Sequence, residues 1–166
     1  MKDILQDFDK YLSEALGSFG LILFGLGAIM ASETFDLGFG GMEIGLAFGM
    51  AVMAMIYAFG EISGAHINPA VTIAFWVSGR FKARLIPGYI LAQMAGGYAA
   101  CALLISLYPE AIALTVTQPA AGLESSLILE FVMTFVLMLV IMHVSTGSKE
   151  TGIMAGIAIG ATVGLE

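Results

Sequence analysis

Apolar residues in this chain come in blocks long enough to cross a bilayer, at about 11–31, 42–60, 85–107 and 125–144, and another begins at Thr151 and runs to Glu166. A spanning helix needs about 20 such residues. Inside lipid the backbone has no water to bond to, so each block is expected to close its own hydrogen bonds as a helix. Composition points the same way: 11% of residues are charged and 59% hydrophobic, with a mean hydropathy of +0.96, whereas in soluble domains roughly a quarter are charged. The expected class is an all-α transmembrane protein, with residues 1–166 forming a single membrane domain. The net charge of −7 reports what is left in links and termini and gives no reason to expect a nucleic-acid partner. The polar segment before Tyr11 is expected to be retained, because the apolar stretch after it is too long for a signal-peptide core.

One segment breaks the pattern: Ser63-Gly64-Ala65-His66-Ile67-Asn68-Pro69-Ala70-Val71-Thr72. Asn is a good N-cap, and Pro suits the first helical position, where its missing N–H costs nothing. The spacing predicts a half-helix over 69–78, too short to span. The Gly-containing stretch before it leaves carbonyls unpaired, which at membrane depth is tolerated where they line a watery path or are buried in protein. A half-helix aimed inward carries partial positive charge at its N-terminus, so it repels cations and orients dipolar solutes. By itself the Asn-Pro-Ala triplet favours an ordinary Asn-capped surface helix, and its surroundings decide.

The basic residues are Lys2, Lys10, Arg80, Lys82, Arg84 and Lys149. If the 69–78 segment dips in and returns, all of them share one side, expected to be cytoplasmic together with the N-terminus. The links holding Glu33, Asp36, Glu110 and Glu124 contain no Lys or Arg. A full crossing at 69–78 would divide the positive charges between both sides.

The chain also repeats itself. Glu14-x-x-Gly17-Ser18-Phe19 recurs as Glu130-x-x-Met133-Thr134-Phe135, and the Gly45 to Val52 block recurs as Gly156 to Val163. Spans one and two therefore return as spans four and five, and the odd number of crossings between copies turns one half upside down relative to the other. Extending the second match places a counterpart of the Asn-Pro-Ala segment beyond Glu166, so the natural chain is expected to be longer.

With the Ser-Gly-Ala-His-Ile-Asn-Pro-Ala-Val-Thr signature, the Glu-x-x-x-[Ser/Thr]-Phe openings and the inverted repeat, the sequence resembles the aquaporin or major intrinsic protein family over essentially its whole length. The resemblance implies an inverted-repeat helical bundle, a homotetramer in a lipid bilayer, and one pore per subunit built around paired Asn-Pro-Ala half-helices. It implies that Asn68 donates its side-chain amide to passing water and that the carbonyls of Gly64, Ala65 and His66 form an acceptor ladder. It places Phe48 at the outer constriction, Val71 on the pore wall, and Pro69 and Ala70 as support for the half-helix. It also implies a cell-membrane location.

Glu14 and Glu130 are ionisable groups inside spans, where such residues must be paired or hydrogen-bonded. We expect both to accept N–H bonds from the non-helical loops. His66 is expected to contribute its carbonyl rather than to gate, and His143 to lie at the membrane interface. Cys101 is the only cysteine, which excludes an intrachain disulfide. No nucleophile with a placed base, phosphate loop or metal-spaced cluster occurs, so neither enzyme activity nor a cofactor or metal is expected. Three functions remain: a passive channel for water or a small neutral solute such as glycerol, with water favoured by Phe48; an inverted-repeat secondary transporter, for which Glu61 is the nearby carboxylate; and a truncated, non-conducting half-pore.

Overall fold

The computed structural model describes residues 2–111, 119, 122–145 and 149–166, with side chains from residue 7 onward except 149–153. Among these, six α-helices follow in order: α1 (Lys2–Thr34), α2 (Gly41–Ser63), α3 (Pro69–Val77), α4 (Ile86–Leu107), α5 (Leu123–Val144) and α6 (Lys149–Leu165). Helices α1, α2, α4 and α5 are long and apolar enough to cross a membrane. α1 starts well before the apolar block because nothing in Lys2 to Lys10 stops a helix; hydropathy marks where lipid begins, not where the helix does. Gln118, expected in the link before α5, lies outside the described residues, as do 146–148 of the link before α6.

Glycine contacts give the helix directions. Gly17, Gly20 and Gly25 of α1 face Phe59, Met55 and Phe48 of α2, an antiparallel register. Gly88 and Gly96 of α4 face Tyr11 and Ala15 of α1, a parallel one. α2 and α6 cross antiparallel, with Gly45 against Gly164 and Gly49 against Gly160. Without a hydrophobic drive between helices in lipid, such small residues let backbones approach closely enough for dispersion contacts to hold them. α1 and α4 run the same way with only α2 and the short α3 between them, so α3 enters and returns without crossing. Two contacts tie down that end of the bundle: Arg84 Nη1 lies 2.7 Å from Asp7 Oδ2, and Arg80 Nη1 donates to Met142 O at 3.0 Å near the end of α5. The tail, the basic turn and the α5 terminus thus meet on one face.

The core nearest the break joins Val52, Ile67, Val71, Ile141, Ala155 and Ile159. By contrast, Leu127, Phe131 and Phe135 of α5 are exposed, a surface suited to lipid tails.

Candidate functional site: the break between α2 and α3

The α2 helix ends at Gly64, whose left-handed backbone (φ 88°) lets its N–H bond Gly60 O, a termination for which glycine pays no Cβ penalty. Ala65 and Ile67 follow with φ 45° and 41°. A β-branched residue there is an outlier, and such positions cost on the order of 1–3 kcal/mol unless their surroundings fix them. Here the surroundings do. Ser63 Oγ accepts from Ala65 N at 3.0 Å, Glu14 Oε1 from His66 N at 2.9 Å, and Glu14 Oε2 from Ile67 N at 2.7 Å. Ser18 Oγ donates to Ile67 O at 3.4 Å. The Ile67 side chain lies against Gly17, where any Cβ would collide with it.

Glu14 is the hub. It is fully buried and also accepts from Ser63 Oγ and from Gln93 Nε2, each at 2.7 Å. Each carboxylate oxygen therefore holds two donors, and four hydrogen bonds take the place of a cation beside the buried charge. Tyr89 Oη donates to Ser63 O at 2.7 Å, so α4 clamps both the carboxylate and the end of α2.

With the N–H groups of the break turned toward Glu14 and Ser63, its carbonyls are left over. None of the Gly64, Ala65 and His66 carbonyls accepts a bond from a described residue. Asn68 caps α3 as the sequence predicts: its backbone is extended, Oδ1 accepts from Ala70 N at 2.8 Å, and Pro69 takes the first helical position. Because Oδ1 is occupied, the exposed face of the Asn68 amide is its NH2 donor. Free carbonyl acceptors and an exposed amide donor thus follow one another along the chain.

Other expected site residues lie on α3 itself or along α2 and α5. Pro69 and Ala70 are exposed with Asn68. Val71, expected on a pore wall, is 5% exposed and packs with Val52 and Ile67. The Phe48 ring covers Gly25 of α1, about 22 Å along α2 from the break at 1.5 Å per residue. Glu130 does not repeat the Glu14 arrangement: it is exposed on α5, and no described residue donates to it. The four donors around Glu14 come from the break and from Gln93, and α5 has no such partners among the described residues. His143 is exposed, with Nδ1 2.7 Å from Leu139 O.

Sequence reasoning passed over Gln93, Thr72, Ser63 and Tyr89, all buried. The available signal was polarity at depth, since a lone amide inside an apolar span needs a partner. Gln93 also leaves one buried atom, Oε1, without a partner, a cost of about 1–3 kcal/mol. Its NH2 group meanwhile reaches both Glu14 and Thr72.

Comparison with known proteins agrees with this geometry. Residues 3–166 match the family described as Major intrinsic protein. Aquaporin NIP1-4 of Oryza sativa subsp. japonica is 46% identical over 154 residues, covering 92% of this chain and 56% of that protein. Aquaporin NIP3-1 of Arabidopsis thaliana is 41% identical over 165 residues, covering 95% and 51%. The chain therefore spans about half the length of these curated relatives. The crystal structure of the aquaglyceroporin from Plasmodium falciparum superposes with a TM-score of 0.79 at 26% identity, over 96% of this chain and 69% of that one. An all-helical, multi-pass bundle with a half-helix capped by Asn68, matched across nearly its full length, places this chain in the major intrinsic protein family.

Proposed function

We propose that the protein is a passive transmembrane channel for water, with Asn68 and the Gly64, Ala65 and His66 carbonyls as the groups that replace the hydration of a permeating molecule. The observation that carries this reading is the division of labour at the break. Its N–H groups are bound to Glu14 and Ser63, while its carbonyls and the Asn68 amide keep their hydrogen-bonding capacity. Fixed acceptors followed by a donor suit a small neutral solute and offer an ion no compensating charge. A transporter would want a free carboxylate at the break; both oxygens of Glu14 are occupied, and Glu61, exposed on α2, lies outside the hydrogen bonds that shape the break. Transport rather than catalysis is thus the activity proposed, in a homotetramer of the cell membrane with the basic face and N-terminus cytoplasmic. Glycerol is the second reading, favoured by the likeness to an aquaglyceroporin structure.

Stopped-flow light scattering on proteoliposomes, made with protein expressed from its full coding sequence, tests the proposal. Osmotic shrinkage faster than in empty vesicles, weakly dependent on temperature and indifferent to ion gradients, is the expected result. Uptake that follows a proton or sodium gradient would establish the transporter, and shrinkage no faster than in empty vesicles the non-conducting reading. Re-swelling in a glycerol gradient separates the two solutes. Asn68→Asp removes a neutral donor worth about 1 kcal/mol and is expected to slow water roughly fivefold. It should also admit cations by placing a negative charge at the half-helix end. Unchanged flux with unchanged ion exclusion would remove Asn68 from the path.

A further inference from the structure

The Thr72 hydroxyl, fully buried, has three polar neighbours besides its own backbone. Gln93 Nε2 lies at 3.0 Å, His66 Nδ1 at 3.1 Å and Asn68 O at 3.1 Å. A hydroxyl offers one proton and two lone pairs, so these three contacts are all it can make. The Gln93 amide orientation is fixed from outside: its other contact, Glu14 Oε2, is a carboxylate oxygen already accepting from Ile67 N, so the group facing both partners is NH2. Gln93 therefore donates to Thr72 and occupies one lone pair. Asn68 O can only accept, so it takes the hydroxyl proton. The remaining lone pair faces His66 Nδ1, which must then carry a proton itself.

The His66 ring has no freedom to turn away. It stacks on Phe75 with centroids 4.8 Å apart and planes 14° apart, and Phe81 and Tyr89 close its other sides at 4.8 and 5.2 Å. With Nδ1 protonated, Nε2 in the neutral ring is a bare acceptor. That atom lies beside Gly64, 3.4 Å from where a Cβ would stand. It is also not sealed in, because Gln93 Oε1 is the one buried, unpartnered side-chain polar atom among the described residues.

We propose that Gln93 is a positioning residue which, through the Thr72 hydroxyl, holds His66 as the Nδ1–H tautomer and so presents His66 Nε2 as a further acceptor beside Gly64. The consequence for transport rests on the channel reading above; the tautomer does not. The unpartnered Gln93 carbonyl fits this role, since both hydrogens of its amide are committed to acceptors. Without Gln93 the Thr72 oxygen loses the contact from α4 that pins it, so it can move off His66 Nδ1 while Asn68 O keeps the Thr72 N–H.

In a His143→Gln background, the His66 signal in nitrogen NMR of histidine-labelled protein in lipid bilayers is assigned as the one that a further His66→Gln change removes. At neutral pH the Nδ1–H form is expected to exceed the Nε2–H form by about tenfold, the equivalent of one hydrogen bond. Gln93→Met in the same background is expected to lose most of that preference, a change that a merely space-filling role would not produce. Thr72→Val gives the same reading by removing the hydroxyl, should Gln93→Met not fold. A proton on His66 Nε2 in the unsubstituted network overturns the proposal, as does an unchanged tautomer ratio in either folded variant. Water flux on the same samples is scored separately, so failure of the channel reading leaves the tautomer result standing, and the reverse.

Discussion

Glu14→Gln is expected to be among the most damaging single substitutions available in this chain, lowering thermal stability by about 2–6 kcal/mol and removing water flux with it. The change is nearly isosteric, so packing is not the cause. Each oxygen of Glu14 accepts two bonds, from Ser63 Oγ and His66 N on one and from Ile67 N and Gln93 Nε2 on the other. An amide replaces one of these oxygens with NH2, which meets two donors head on. Two unpaired donors at about 1–3 kcal/mol each give the range. Glu14→Leu strands all four and should cost more. The loss falls on function as well as stability: Glu14 holds the Ile67 N–H at 2.7 Å, the shortest hydrogen bond on that left-handed residue, and once it relaxes the His66 carbonyl and Asn68 move. Melting of the detergent-solubilised protein, followed by size-exclusion chromatography, checks the stability. A melting temperature within a degree or two of the parent would show that Glu14 is not what holds the break.

The same residues show what a sequence can and cannot reveal. The spans were legible because lipid imposes a length, and α3 because Asn68-Pro69 is a helix start in any context. Glu14 was legible as a residue in need of partners, since an ionisable group in an apolar run announces its own cost. The identity of those partners was not. Gln93 is 79 positions from Glu14, and the two meet only because α1 and α4 pack parallel with Ala15 against Gly96, a tertiary fact with no local trace. The alternation of left-handed residues at Ala65 and Ile67 was invisible for the opposite reason: local preference argues against it, and contacts from α1 enforce it. Glu130, the counterpart of Glu14 in the repeat, is exposed, and the segment that the repeat would set against it falls beyond Glu166.

Gly96 and Gly97 offer a sharper test, because adjacent residues of one helix should respond oppositely to the same small change. A Cβ on Gly96 would overlap the Ala15 carbonyl and stand 2.8 and 3.0 Å from its carbon and Cα. All of these are backbone atoms, so no rotamer can yield and α1 must move away from α4. Overpacking of this kind costs about 1–3 kcal/mol or more. A Cβ on Gly97 would meet only Ile22 Cγ1, at 3.8 Å, an ordinary contact. Gly97→Ala should therefore stay within about 0.5 kcal/mol of the parent. The effect of Gly96→Ala should also reach the break. Gln93 lies one turn before Gly96 on α4 and Ala15 directly follows Glu14, so separating the helices stretches the 2.7 Å bond from Gln93 to Glu14 and the network that bond supports. We expect Gly96→Ala to lose both stability and water flux, and Gly97→Ala to keep both, by melting and stopped-flow measurements made in parallel. Equal behaviour of the two variants would mean that the α1–α4 crossing is looser than its contacts imply, and that Glu14 is held in place by the loop rather than by α4.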